Sequence, residues 1–105
     1  MTNKLRIRES PKAQKFGESI IYTLTTTPWG TSPTAVSVIV YDITDGEPYT
    51  NVTSTVMPVN SPSVVGDIIT FSPLKLLTRD HKYLLDIFFT CNSKNFNTDC
   101  IVVAV

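Results

Sequence analysis

Few side chains here have the chemistry of a catalytic or metal centre, and their spacing limits what they can do. The single histidine, His81, follows Asp80 and lies two residues before Tyr83. Nucleophilic catalysis needs a base that is oriented by a third group and set beside a nucleophile. Adjacent residues on a strand or turn point in different directions, so Asp80 is badly placed to orient the ring. His81 is therefore expected as an exposed turn residue. Zinc needs three or four Cys, His or carboxylate ligands. His81, Cys91 and Cys100 make a poor set, and the eight residues between the cysteines are not a knuckle spacing. The two cysteines flank residues 92–99, read as a loop at the mouth of the last hairpin. Two states are open to them: a Cys91–Cys100 disulfide, or two buried thiols. A bridge would not persist in a reducing cytoplasm.

Asp42, Asp45 and Glu47 gather at one hairpin end but lack the regular ligand spacing of a calcium loop. They read as solvated turn acids. Paired catalytic carboxylates need a cleft, and a sandwich of 105 residues has little chain to spare for one. Its four isolated glycines do not form a phosphate-cradling loop. No catalytic residue, cofactor site or metal site is expected, nor an evident small-molecule substrate, and the chain reads as a non-enzyme. Asn51-Val52-Thr53 fits the N-glycosylation pattern and is taken as chance.

Binding chemistry is better represented. Trp29, the only tryptophan, falls in the segment Thr27-Pro28-Trp29-Gly30-Thr31-Ser32-Pro33. A loop tryptophan can plug the end of a core, anchor a protein interface or stack on a sugar ring. Phe96, within residues 92–99, shares that ambiguity.

Charge is uneven although it sums to zero. Residues 1–15 hold Lys4, Arg6, Arg8, Lys12 and Lys15 against Glu9, whereas residues 16–74 hold five acids and no base. The first segment is a basic arm on a mildly acidic body. It is either a solvated terminus or an arm, with Arg6 and Arg8 foremost, that docks on an acidic surface of its own or a neighbouring subunit. A neutral chain has no bulk attraction to nucleic acid or acidic lipid. No run approaches the roughly 20 apolar residues of a membrane span. The polar first ten residues do not resemble a secretory signal, so cytoplasmic synthesis is expected.

The elements that must carry these residues are strands. The chain is 42% hydrophobic, mostly β-branched and aromatic, a mixture suited to pleated surfaces. Period-2 alternation marks residues 18–26 (Ile20, Tyr22, Leu24), 35–44 (Val36, Val38, Val40), 49–57, 68–71, 83–91 and 100–105. Asp45-Gly46 and Gly66-Asp67 mark tight turns. About seven strands at this spacing predict an all-β, immunoglobulin- or fibronectin-like antiparallel sandwich, with residues 16–105 as one domain; a small closed barrel is the competing arrangement. Leu77-Thr78 ahead of Tyr83 fits a tyrosine corner, with the ring in the core and the hydroxyl returned to the backbone.

Three features recur together: the Tyr22 strand followed by Thr27-Pro28-Trp29, Val52-Thr53 ahead of Gly66-Asp67, and Leu77-Thr78 ahead of Tyr83-Leu84-Leu85. With them the chain, after residue 10, resembles small β-sandwich proteins coded in the structural-gene clusters of tailed phages and prophages. The resemblance implies a virion role in a neck, tail or capsid, through self-association or contact with other virion proteins, and carries over no catalytic residue. The alternative is a carbohydrate- or cell-surface-binding module that uses Trp29 and loop aromatics.

Overall fold

The computed structural model describes the backbone of residues 2–6 and all of residues 12–105. It is an all-β structure of two sheets packed over one core. The larger sheet is built around β8 (Lys82–Cys91) and β9 (Lys94–Ala104). Its order is β1-β9-β8-β4-β5, where β1 is Thr2–Arg6, β4 is Thr34–Asp42 and β5 is Thr50–Asn51. Strand β2 (Lys12–Gln14) continues along the same side of β9 as β1, and both run parallel to it. The smaller sheet has the order β3-β7-β6, from Thr23–Thr25, Ile68–Thr70 and Ser63–Val65.

The alternating residues form the core as their period requires. Tyr83, Leu85, Ile87, Phe89 and Cys91 of β8 are all buried, and so are Val38 and Val40 of β4. They face Leu24 and Ile69 of the smaller sheet and Phe71 just beyond it. The Tyr83 hydroxyl accepts a hydrogen bond from the Thr78 N–H at 2.8 Å, which fixes the start of β8.

Nine strands stand among the described residues, against about seven expected. Two of them, β1 and β2, come from the basic arm, and each pairs with β9. The expected strand over 49–57 is not formed. It stops after two residues and gives way to a one-turn helix, α1 (Thr53–Val56). Asn51 explains the stop: its side-chain oxygen accepts from the Thr53 N–H at 3.1 Å, turning the chain. The Thr53 hydroxyl then accepts from the Val40 N–H at 2.8 Å, taking the place of a strand partner.

The last strand also departs from expectation. Residues 94–99 are strand and not loop, because Asn92 and Ser93 both adopt positive φ (51° and 63°) and close a two-residue hairpin. That backbone geometry matches the twist of the flanking strands. Cys91 therefore lies opposite Lys94, and Cys100 lies opposite Leu85.

Candidate binding groove

The open side of the sandwich lies between β3, at one edge of the smaller sheet, and β2 and β9 of the larger one. A groove of about 690 Å³ runs there, within the volume range of about 300–1,000 Å³ typical of binding sites. Leu24, Phe71, Leu85, Ile87 and Val102 lie at its bottom, each at most 7% exposed. Lys12 and Tyr22 stand at one end, with the ammonium 6.0 Å from the ring centroid, and Pro28 and Trp29 stand at the other.

Each end is held by specific bonds. The N–H groups of Trp29 and Gly30 both donate to the Thr26 carbonyl, at 2.8 and 2.9 Å, which wraps the loop into one tight turn. Asp67, from the β6–β7 turn, ties this loop down: its carboxylate accepts from the Thr27 hydroxyl and the Ser32 N–H. The Trp29 ring is half-buried, 5.9 Å from that of Phe89. At the other end Gln14 of β2 is buried between the sheets. Its amide donates to the carbonyls of Leu74 (2.8 Å) and Glu18 (3.1 Å), and its oxygen accepts from the Tyr22 hydroxyl (2.8 Å). Burial, with smaller effects from Cys100 and Glu18, raises the Tyr22 pKa, so the hydroxyl stays protonated as a donor.

The residues singled out in sequence fare differently. Trp29 lines the groove. Phe96 is not a loop aromatic; it is a buried residue of β9, stacked on Phe89 at 5.4 Å. Cys91 and Cys100 are free, buried thiols. Their partners Cys91↔Lys94 and Leu85↔Cys100 set them six residues apart along β8, roughly 20 Å, so no disulfide can join them. Burial raises the Cys91 thiol pKa, the Asp67 charge adds to the effect and a Thr26 hydrogen bond opposes it. A thiol in that state is a packing group more than a nucleophile. The backbone of Arg6 pairs with Asp99 of its own chain, at the edge of the larger sheet. Arg8 lies outside the described residues.

No protein-family model matches the chain, and no curated protein matches it significantly. The groove must therefore be read from its own chemistry. Among the described residues no three His, Cys, Asp or Glu side chains gather as a metal site would need, and no helix is long and apolar enough to cross a membrane.

One polar contact was not foreseen. His81 pairs with Asp42, 2.7 Å from Nδ1 to Oδ2. The two come together because β4 and β8 are antiparallel neighbours and Asp42 lies opposite Tyr83. No sequence spacing announces a contact between residues 39 apart. The Thr44 hydroxyl bonds the other carboxylate oxygen of Asp42, so it is not poised on the ring as a nucleophile would be.

Partial burial opposes ionisation of Asp42, but the bonds from Thr44 and His81 outweigh it and hold the carboxyl pKa below its usual value. A carboxylate depressed in the folded state contributes stability above its unfolded pKa, near 3.9, and loses it as pH falls through the folded pKa. Asp42→Asn is therefore expected to lower the unfolding midpoint above about pH 5. The gap from the unchanged protein should close as the pH falls through the lowered folded-state pKa. Thermal melts of both proteins across that range check this; a gap that persists at low pH would assign it to something other than the charge.

Proposed function

We propose that this chain is a non-catalytic assembly domain with an immunoglobulin-like frame, a virion component of the kind its sequence resembles, working through its sheet edges. The strand order, with a parallel N-terminal strand beside β9 and a tyrosine bonded back ahead of β8, supports the frame. The observation that carries the assembly reading is β6. All three of its residues are exposed at the free edge of the smaller sheet. Val65 is 78% exposed and lies opposite Ile68, itself 45% exposed. Edge strands in monomers are commonly protected by lysine or other charges, yet residues 58–66 contain no charged side chain. Pairing of β6 with another copy would satisfy its backbone and cover both side chains.

Light scattering behind a sizing column tests this. The unchanged chain is expected to form a concentration-dependent oligomer, and Val65→Lys to be a monomer with its unfolding midpoint little changed. A monomer at every concentration removes the support that β6 gives to self-assembly.

The alternative, a glycan-binding module, has narrower support. Trp29 lines a groove, but it packs against Phe89 and is not a fully open stacking platform.

A further inference from the structure

The groove beside β3 has a feature that its apolar floor alone does not explain. Phe71 N–H donates to Tyr22 O, and Thr26 N–H donates to Asp67 O, each across directly opposed residues of the β3–β7 ladder. Hydrogen-bonded and non-bonded pairs alternate in an antiparallel ladder. The backbone groups of Tyr22, Leu24 and Thr26 therefore point to β7, and those of Thr23 and Thr25 point the other way. Both threonines line the groove and occupy the edge of the smaller sheet. Two N–H and two C=O groups thus stand at a two-residue repeat along an apolar trough.

We propose that this groove accepts an extended peptide strand from a partner protein, added to the edge of β3 that no other described strand occupies. The strand has apolar residues at alternating positions and an acidic residue at the Lys12 end. Only a backbone with the same two-residue repeat meets both donors and both acceptors. Its inward side chains then meet the small exposed parts of Leu24, Phe71, Leu85, Ile87 and Val102 at the bottom of the groove. Lys12, the one charged residue of the lining among the described residues, selects the acid. The inference rests on the assembly reading above but uses the edge opposite β6, so the two can fail separately.

The test uses the full chain and a synthetic heptapeptide of aspartate followed by alternating valine and threonine. Binding is followed by Trp29 fluorescence and by the amide resonances of Thr23 and Thr25. The peptide is expected to bind with a Kd below about 1 mM and to shift both resonances. A peptide of the same composition with its valines grouped, and one N-methylated on the amides that would face β3, should each bind at least about ten-fold more weakly. Thr25→Pro should weaken binding similarly while the domain stays folded, because that N–H has no role in the β7 ladder. Should Thr25→Pro fail to fold, the N-methylated peptide decides alone. Equal affinity for the methylated peptide, or no movement of Thr23 and Thr25, overturns the proposal. So does a groove that takes decanoate but not the peptide, which would make it a small-molecule pocket. None of these readouts depends on the oligomeric state tested with Val65→Lys.

Discussion

Replacing Gly30 with alanine is expected to lower the unfolding midpoint by roughly 15 °C, the shift that about 3 kcal/mol produces in a domain of this size. Gly30 has a φ of +154°, a conformation that side chains disfavour, and a Cβ built on it falls 2.6 Å from the Cβ of Cys91. Real Cβ contacts are not that close, so the loop or the end of β8 must shift. Overpacking of that kind costs about 1–3 kcal/mol, and the strained backbone adds about 1–3 more. The contact can be separated from the strain. Cys91→Ala keeps the clashing Cβ and should not relieve Gly30→Ala, whereas Cys91→Gly should recover part of the loss in a double-mutant cycle. Purely additive effects would show that the backbone conformation, and not the approach to β8, requires glycine. Gly30 follows Trp29, so the same substitution is expected to change Trp29 emission.

That result would concern a residue whose importance was only half visible in the sequence. The segment between Pro28 and Pro33 is plainly a loop, but which strand it touches is a long-range fact. Legibility follows the range of the interaction throughout the chain. Tyr83 to Cys91 alternates without interruption, so its burial and its place at the centre of a sheet could be read directly. Gly66-Asp67 made a hairpin as its φ preferences require. The strand expected over 49–57 failed because a local competitor, the Asn51–Thr53 turn, outweighed a weak alternation. Asn92-Ser93 lacks the glycine of a strong two-residue turn signal. Yet Phe96, Thr98, Cys100, Val102 and Ala104 fall on every second residue and are buried, a period that could have extended β9. The groove itself was not legible. It arises because β2 pairs with β9 while, among the described strands, β3 keeps one edge unpaired, and no composition or spacing encodes which strands become neighbours. Trp29 was found, but Lys12, Gln14 and the free edge at Thr23 and Thr25 needed the topology.

Gln14 shows how a polar residue in such a place is read, and Gln14→Leu is the second large effect expected. Glutamine is seldom fully buried, and this one is 1% exposed, facing inward from a three-residue strand. Its amide joins β2 to the Leu74 and Glu18 carbonyls, and its oxygen holds the Tyr22 hydroxyl at the groove's end. Leucine has similar volume but leaves three polar groups short of a partner. Leu74 O keeps the Ile20 N–H and loses least, while the Glu18 carbonyl and the Tyr22 hydroxyl must find water. An unsatisfied buried group costs about 1–3 kcal/mol, so a loss of about 2–4 kcal/mol is expected in chemical denaturation. Tyr22→Phe alone should cost about 1–2 kcal/mol, because it strands the Gln14 oxygen. The double variant should lose less than the sum of the two, since each substitution removes the partner that the other strands. The effect should also be local. The Val105 N–H donates to Gln14 O, and the Phe16 N–H donates to Val105 O. Both amides should therefore exchange faster with solvent as β2 loosens, while those at the centre of β8 change only with global stability. Uniform acceleration across β8 and β2 would instead make Gln14 a general core residue. Selective loosening would identify it as the clamp that holds Lys12 and Tyr22 at the mouth of the groove.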